Sequence, residues 1–211
     1  MARDGFPLIG GVALACAAAW AFDIRVALGL LPLLGLVLWF FRDPERTSRA
    51  GAECFVSPAD GKVVEVSPAE HPFTGPALRV GIFMSPLDVH VNRAPFPGTV
   101  AHLEYVPGAR WMAFDPKASE QNERFYVGLD TAAGPVIITQ IAGFLARRIV
   151  CRLGQGDRLE RGERFGMIKL GSRVDVYLPP AVECSVSVGQ RVRAGETTIG
   201  VVRHGHATHK A

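Results

Sequence analysis

The segment Gly166–Pro180, GMIKLGSRVDVYLPP, breaks two β-rich runs at Leu170-Gly171-Ser172, with Lys169 before the break and Arg173 after it. Gly and Ser are ordinary turn residues, so a plain turn accounts for the break. A sharper reading makes Ser172 a reactive residue in a strained loop. These residues alone leave both readings open.

Polar groups that could serve such a step lie upstream. MSPLDVHVNRAPFPG, from Met84 to Gly98, carries Asp88, His90, Asn92 and Arg93. A period of two puts Asp88, His90 and Asn92 on one strand face, although an exposed strand face shows the same pattern. In SPADGKVVEV, Asp60-Gly61 is a turn pair between strands, so Asp60 alone reads as structural. His204, His206 and His209 in the terminal HGHATHK could bind a transition metal, but disorder is the default for a chain end. The chain has no G-x-S-x-G elbow, no H-E-x-x-H and no phosphate-cradling Gly loop with Lys-Ser/Thr.

The elements that must position these residues are mostly strands. Short β-rich runs punctuated by Gly and Pro follow one another: FVSPADGKVVEV, ALRVGIFM, GTVAHLEYV, RFYVGLDT, PVIITQIA, RRIVCRL, VDVYLP, ECSVSV and TTIGVVR. That rhythm predicts a mainly β fold, a compact barrel or sandwich, with at most one turn of helix in PKASEQNERF. CRLGQGDRLERGE (151–163) echoes CSVSVGQRVRAGE (184–196), which suits a pseudo-symmetric structure with hammerhead hairpins like those of biotinyl and lipoyl carriers. Two copies are too few for a solenoid.

Ahead of this domain, residues 1–41 form an apolar anchor of two helical segments, Phe6–Phe22 and Val26–Phe41, interrupted by Asp23 and Arg25. Each is slightly short of the ~20 residues that span a bilayer comfortably. The pair therefore reads as a membrane hairpin or an interfacial anchor, with Trp20 and Trp39-Phe40-Phe41 near headgroup level. A cleaved signal peptide would leave the second apolar run unexplained. Residues 42–52 are a charged linker, 53–202 the folded domain and 203–211 a histidine-containing tail. Arg42, Arg46 and Arg49 after the anchor place the domain on the cytoplasmic face of the cell membrane. Cys16, Cys54, Cys151 and Cys184 match neither a zinc site nor a disulfide framework, so reduced, mostly buried thiols are expected. A net charge of +3 without a basic block sets nucleic acid aside.

FFRDPER, PADGKV, SPLDVHVNRAP, YVPG, NER and GSRVDVYLP, in this order behind an apolar segment, resemble phosphatidylserine decarboxylases. More narrowly, they resemble the short proenzyme form of bacteria and archaea, over about Phe40 to Leu178. The resemblance implies that Ser172 Oγ attacks the Gly171 carbonyl and that the ester then eliminates; a strained Gly–Ser bond beside a base is a route to that attack, and glycine removes a side chain that would crowd the oxygen. A β-chain, 1–171, and an α-chain, 172–211, would remain together as a heterodimer of one gene product. Residue 172 would become a pyruvoyl group, the cofactor that forms a Schiff base with phosphatidylserine and withdraws electrons as carbon dioxide leaves. His90 would be the base for self-cleavage or a proton donor, with Asp60 supporting it. Arg93, Arg173 and the linker arginines would be charge partners for the anionic lipid headgroup.

Two departures limit the carry-over. Arg173 stands where larger members commonly have Ser or Thr, and Arg93 stands where they have a second histidine. Their aspartate-histidine-serine relay therefore does not transfer whole. The rival readings are a membrane-tethered biotinyl- or lipoyl-like adaptor with Lys169 as its acceptor, and a pyruvoyl decarboxylase of a soluble amino acid. MIKLGS lacks the second methionine usual beside a carrier lysine, and the apolar anchor argues against a soluble substrate.

Overall fold

The apolar runs fold as two helices, α1 (Phe6–Phe22) and α2 (Ile24–Phe40), packed on each other and joined through extended Asp23. Pro7 sits in the first turn of α1, where a missing N–H is harmless. Asp23 caps α2 by accepting from Arg25 N at 2.8 Å. α1 buries none of its residues, and Leu14, Trp20 and Phe22 stand exposed. Arg3–Phe22 is long and apolar enough to cross a membrane by length and composition, whereas α2 is shorter. This segment is compatible with membrane association. The computed structural model describes residues 1–109, 111–112, 118–143, 148–169 and 171–203; His204, His206 and His209 lie outside them.

The remainder is mostly β, as expected. A curled, half-barrel sheet runs β13 (Arg191–Val192), β2 (Gly61–His71), β3 (Gly75–Met84), β11 (Ser172–Leu178), β7 (Gly134–Ala142), β6 (Arg124–Thr131), β5 (Gly98–Val106), β9 (Arg158–Leu159). Two small sheets flank it: β1 (Cys54–Val56), β14 (Thr198–Val202), β12 (Val182–Cys184), and β4 (Val91–Arg93), β10 (Arg164–Ile168), β8 (Ile149–Cys151). Every named pair is antiparallel. The single helical turn α3 (Ala118–Gln121) falls inside the segment expected to hold one.

The order reads the same from both ends once strands are paired as β13 with β9, β2 with β5, β3 with β6 and β11 with β7. The fold is a duplicated half around a pseudo-two-fold axis between β11 and β7. Matching details support this. β2 bulges after Val63 and β5 after Val100. Val56 N donates to Pro95 O, and Arg93 N donates to Pro58 O, both at 2.9 Å. The echoed segments occupy equivalent places, and Gly162 and Gly195 face each other, each with positive φ. The pairing alone does not make them carrier-domain hammerheads.

The duplication locates the Gly-Ser break. β6 and β7 are joined by a tight turn, whereas the equivalent β3 and β11 are separated by residues 85–171, which hold the other half. Ser172 pairs with Met84 as Gly134 pairs with Thr131. The break is thus a hairpin turn opened to admit the inserted half. Gly61, at φ +155, shows how tight the frame is: an added Cβ would run into the Phe83 carbonyl oxygen. Gly61→Ala is expected to lower stability by about 3 kcal/mol, measured by urea unfolding.

All four cysteines are free and partly exposed, rather than mostly buried as expected. The linker is strapped down: Asp43 pairs with Arg93 and Arg164, and Arg161 holds the Ala50 carbonyl at 2.8 Å. α2 ends in a small second core, where Val37, Phe40 and Phe41 meet Val89, Val91 and Met167.

Candidate active site

Ser172 opens β11 between Met84 of β3 and Ala142 of β7, and it is completely buried. It shares the face that sends Val174 and Val176 into the core. Its Oγ lies 3.6 Å from Met84 Sδ. A thioether is a weak acceptor, so the hydroxyl is held loosely. The same sulfur faces Asn92 Nδ2 at 3.8 Å, and Asn92 Oδ1 accepts from Gln140 Nε2 at 2.8 Å. Gln140 Oε1 is buried without a hydrogen-bond partner among the described residues.

Gly171 sits at φ +61 with open space where a Cβ would project. That left-handed backbone costs other L-residues roughly 1–2 kcal/mol. The glycine therefore has a conformational reason to precede the serine, besides the steric one expected.

His90 enters β4 fully buried, between Val89 and Val91 of the small core. Its carbonyl accepts from Ile168 N at 3.4 Å, alongside the chain that continues to Lys169 and the Gly171 break. Nδ1 lies 2.9 Å from the Asp88 carbonyl, which can only accept, so the proton belongs on Nδ1. Nε2 then presents a lone pair, buried and without a partner among the described residues. The ring packs on Phe40 with centroids 4.5 Å apart. Burial pushes its pKa from 6.5 down to about 4, against the opposing effect of the Asp88 carbonyl. A histidine neutral in the fold but chargeable when unfolded contributes its stability above pH 6.5, and that contribution drains away towards about 4. Acidification across this window is expected to lower the melting temperature of the native chain more than that of His90→Gln.

The other expected residues occupy different surroundings. Asp60 accepts from Arg46 Nη2 at 2.7 Å and from Ala194 N at 2.8 Å, and its second oxygen also meets Arg46. It clamps the linker, and its charge reaches His90 only through space. Arg93 is buried and donates to Gly162 O and Pro44 O at 3.0 Å, again holding the linker. Arg173 points to the opposite sheet face from Ser172, buried between Asp175 and Glu65 at 2.5 Å each. Neither guanidinium opens to solvent, so the substrate-binding role expected of Arg93 and Arg173 gains no geometric support. Lys169 lies under the anchor, 5.7 Å from the Phe41 ring, and not at the hairpin tip an adaptor lysine requires.

A model described as phosphatidylserine decarboxylase matches residues 33–200. The chain belongs to this family. It is 50% identical over 175 residues to a phosphatidylserine decarboxylase proenzyme of Chlorobium phaeobacteroides, covering 82% of each chain. A proenzyme of that name from Salinibacter ruber is 52% identical over 172 residues, with 79% of this chain and 76% of the relative covered. One from Chlorobaculum tepidum is 48% identical over 195 residues, covering 92% and 85%. The chain is an enzyme of this type, as its motifs led one to expect.

The sequence reading missed Met84, Gln140 and Phe40 at this site. Gln140 had a visible signal, a lone amide in the buried run PVIITQIA. Met84 and Phe40 had none, because apolar residues beside apolar runs read as core or membrane.

Proposed function

We propose that the chain cleaves itself between Gly171 and Ser172 and then decarboxylates phosphatidylserine to phosphatidylethanolamine through a pyruvoyl group at residue 172. The observation that carries this reading is a buried serine on a weak acceptor, preceded by a left-handed glycine, in a chain whose relatives are named proenzymes.

In the self-cleavage step, Ser172 Oγ loses its proton and bonds to the Gly171 carbonyl carbon. The C–N bond breaks and its nitrogen gains a proton, leaving an ester. Loss of the residue 172 α-proton then expels the Gly171 carboxylate, and hydrolysis of the resulting enamine releases ammonia and leaves a ketone. His90, neutral with Nε2 unprotonated, is the group suited to move these protons, and Asp60, held by Arg46, supports it through space.

The site's residues fit the product. The space beside Gly171 is open, and the Met84 sulfur that Ser172 Oγ meets also meets Asn92, which is bonded to Gln140, so the amides nearby are uncharged. When present, the pyruvoyl ketone accepts the substrate amine and draws electrons as carbon dioxide departs. The Arg42, Arg46 and Arg49 series after the anchor supports a cytoplasmic placement at the cell membrane. Purified protein with phosphatidylserine vesicles should release carbon dioxide and form phosphatidylethanolamine. Cyanoborohydride added during turnover should join the lipid covalently to fragment 172–211. Lipid joined to no fragment, or to Lys169, would defeat the reading.

A further inference from the structure

The exit of the anchor continues into an exposed patch that the chemistry above does not use. Arg42 stacks on Trp39 at 4.2 Å and donates to the Leu87 carbonyl at 2.6 Å. Leu87 is 66% exposed, at the tip of the loop between Met84 and His90. Asp88, next in the chain, pairs with Arg191 at 3.2 Å. Arg191 stands opposite exposed Lys62 across the β13–β2 pair. The turn leading into β13 raises Val188, 61% exposed.

Single exposed apolar residues are ordinary. Here two of them stand on separate loops with cations beside them, and Arg42 links one loop to the last turn of an apolar helix. Asp88 pairs with Arg191 and accepts from Ser85 N at 2.8 Å, so it offsets one of the three cations and leaves the patch positive through Arg42 and Lys62. An aromatic residue at a helix end, apolar tips and a basic surround together match the headgroup layer of an anionic bilayer.

We infer that Leu87 and Val188 dip into an anionic phospholipid surface, with Arg42, Arg191 and Lys62 on its headgroups, as a second membrane contact beside the helical anchor. The inference rests on the membrane and substrate reading proposed above. Its functional consequence is positional. The loop bearing Leu87 joins the residue facing Ser172 to His90, so docking brings the mouth of the site to headgroup depth. A lipid then presents its serine without leaving the leaflet.

Hydrogen exchange of the full chain carrying Ser172→Ala tests the contact without any activity. Residues 85–88 and 187–191 should exchange more slowly in phosphatidylserine-containing nanodiscs than in phosphatidylcholine nanodiscs or detergent. Equal exchange in all three overturns the inference. Slowing that instead grows with protein concentration in detergent would assign the patch to a second copy and overturn it as well. Kinetics give the second readout. Leu87→Glu with Val188→Glu should cleave normally and turn over water-dispersed short-chain phosphatidylserine as the native enzyme does. The same variant should lose about tenfold or more on bilayer substrate. Equal loss on both substrates would mark damage to the site and overturn the docking role. A native chain inactive on both would defeat the proposed function instead, while nanodisc protection would still report docking.

Discussion

Ser172→Ala is expected to remain one chain of 211 residues with no decarboxylase activity, while the native chain separates in denaturant into 1–171 and 172–211. No other residue can compensate, because the reactive carbonyl is made from this serine's own atoms. Denaturing electrophoresis reads the cleavage. Intact mass reads the chemistry: the smaller native fragment should be lighter by one ammonia than a plain peptide starting at Ser172. Without denaturant the fragments should stay together. β11 is hydrogen-bonded to β3 along one edge and β7 along the other, both on the larger fragment. A single uncut native chain would return Gly171-Ser172 to an ordinary turn.

Arg173→Met is expected to cost about 3–5 kcal/mol of folding stability, as removal of one partner from a buried ion pair does. Arg173 is almost fully buried, and the change takes its guanidinium away from Asp175 and Glu65, although Arg79 and Ser67 still hold Glu65. Urea unfolding in the Ser172→Ala background, where the chain is continuous, measures the loss. A further Asp175→Leu change should recover part of it by removing a buried carboxylate that has lost its guanidinium. The pH dependence has a definite sign. Burial alone would raise the Glu65 carboxyl, but hydrogen bonds from Arg173, Ser67 and Arg79 outweigh it and hold the pKa at about 2 against an ordinary 4.5. Its contribution is therefore present above pH 4.5 and is lost as pH falls towards 2. Arg173→Met should flatten that acid limb. A stable Arg173→Met with a raised KM for lipid would restore the headgroup role expected from sequence.

Much of this was legible in the chain itself. Alternating apolar residues and regular Gly/Pro punctuation announce a mostly β fold, because each feature acts over a few residues. The unbroken apolar runs before Arg42 announce helices for the same reason. The echo between 151–163 and 184–196 exposed one piece of the duplication. Its larger extent was written only in short matches, Gly61–Val63 with Gly98–Val100 and Val80–Ile82 with Val127–Leu129, which stand out once strand pairing sets them in register.

The site divides along the same line. Order and spacing of motifs carried the resemblance that points to Gly171, Ser172 and His90, while those residues taken alone also read as a turn and an exposed strand face. Linear order could not show whether Asp60, Arg93 and Arg173 face a substrate or each other's countercharges. Burial and pairing decide that: Asp60 and Arg93 bind the linker, and strand alternation turns Arg173 away from its neighbour Ser172. Nor could it show that Phe40 of the anchor would cover His90, some fifty residues later in the chain. The sequence by itself determined the kinds of element and, through the order of its motifs, the family, on which the proposal of cleavage at Gly171–Ser172 rests. The tertiary structure alone decided which charges were neutralised and which groups surrounded that bond, because burial and ion pairing depend on strands distant in the chain.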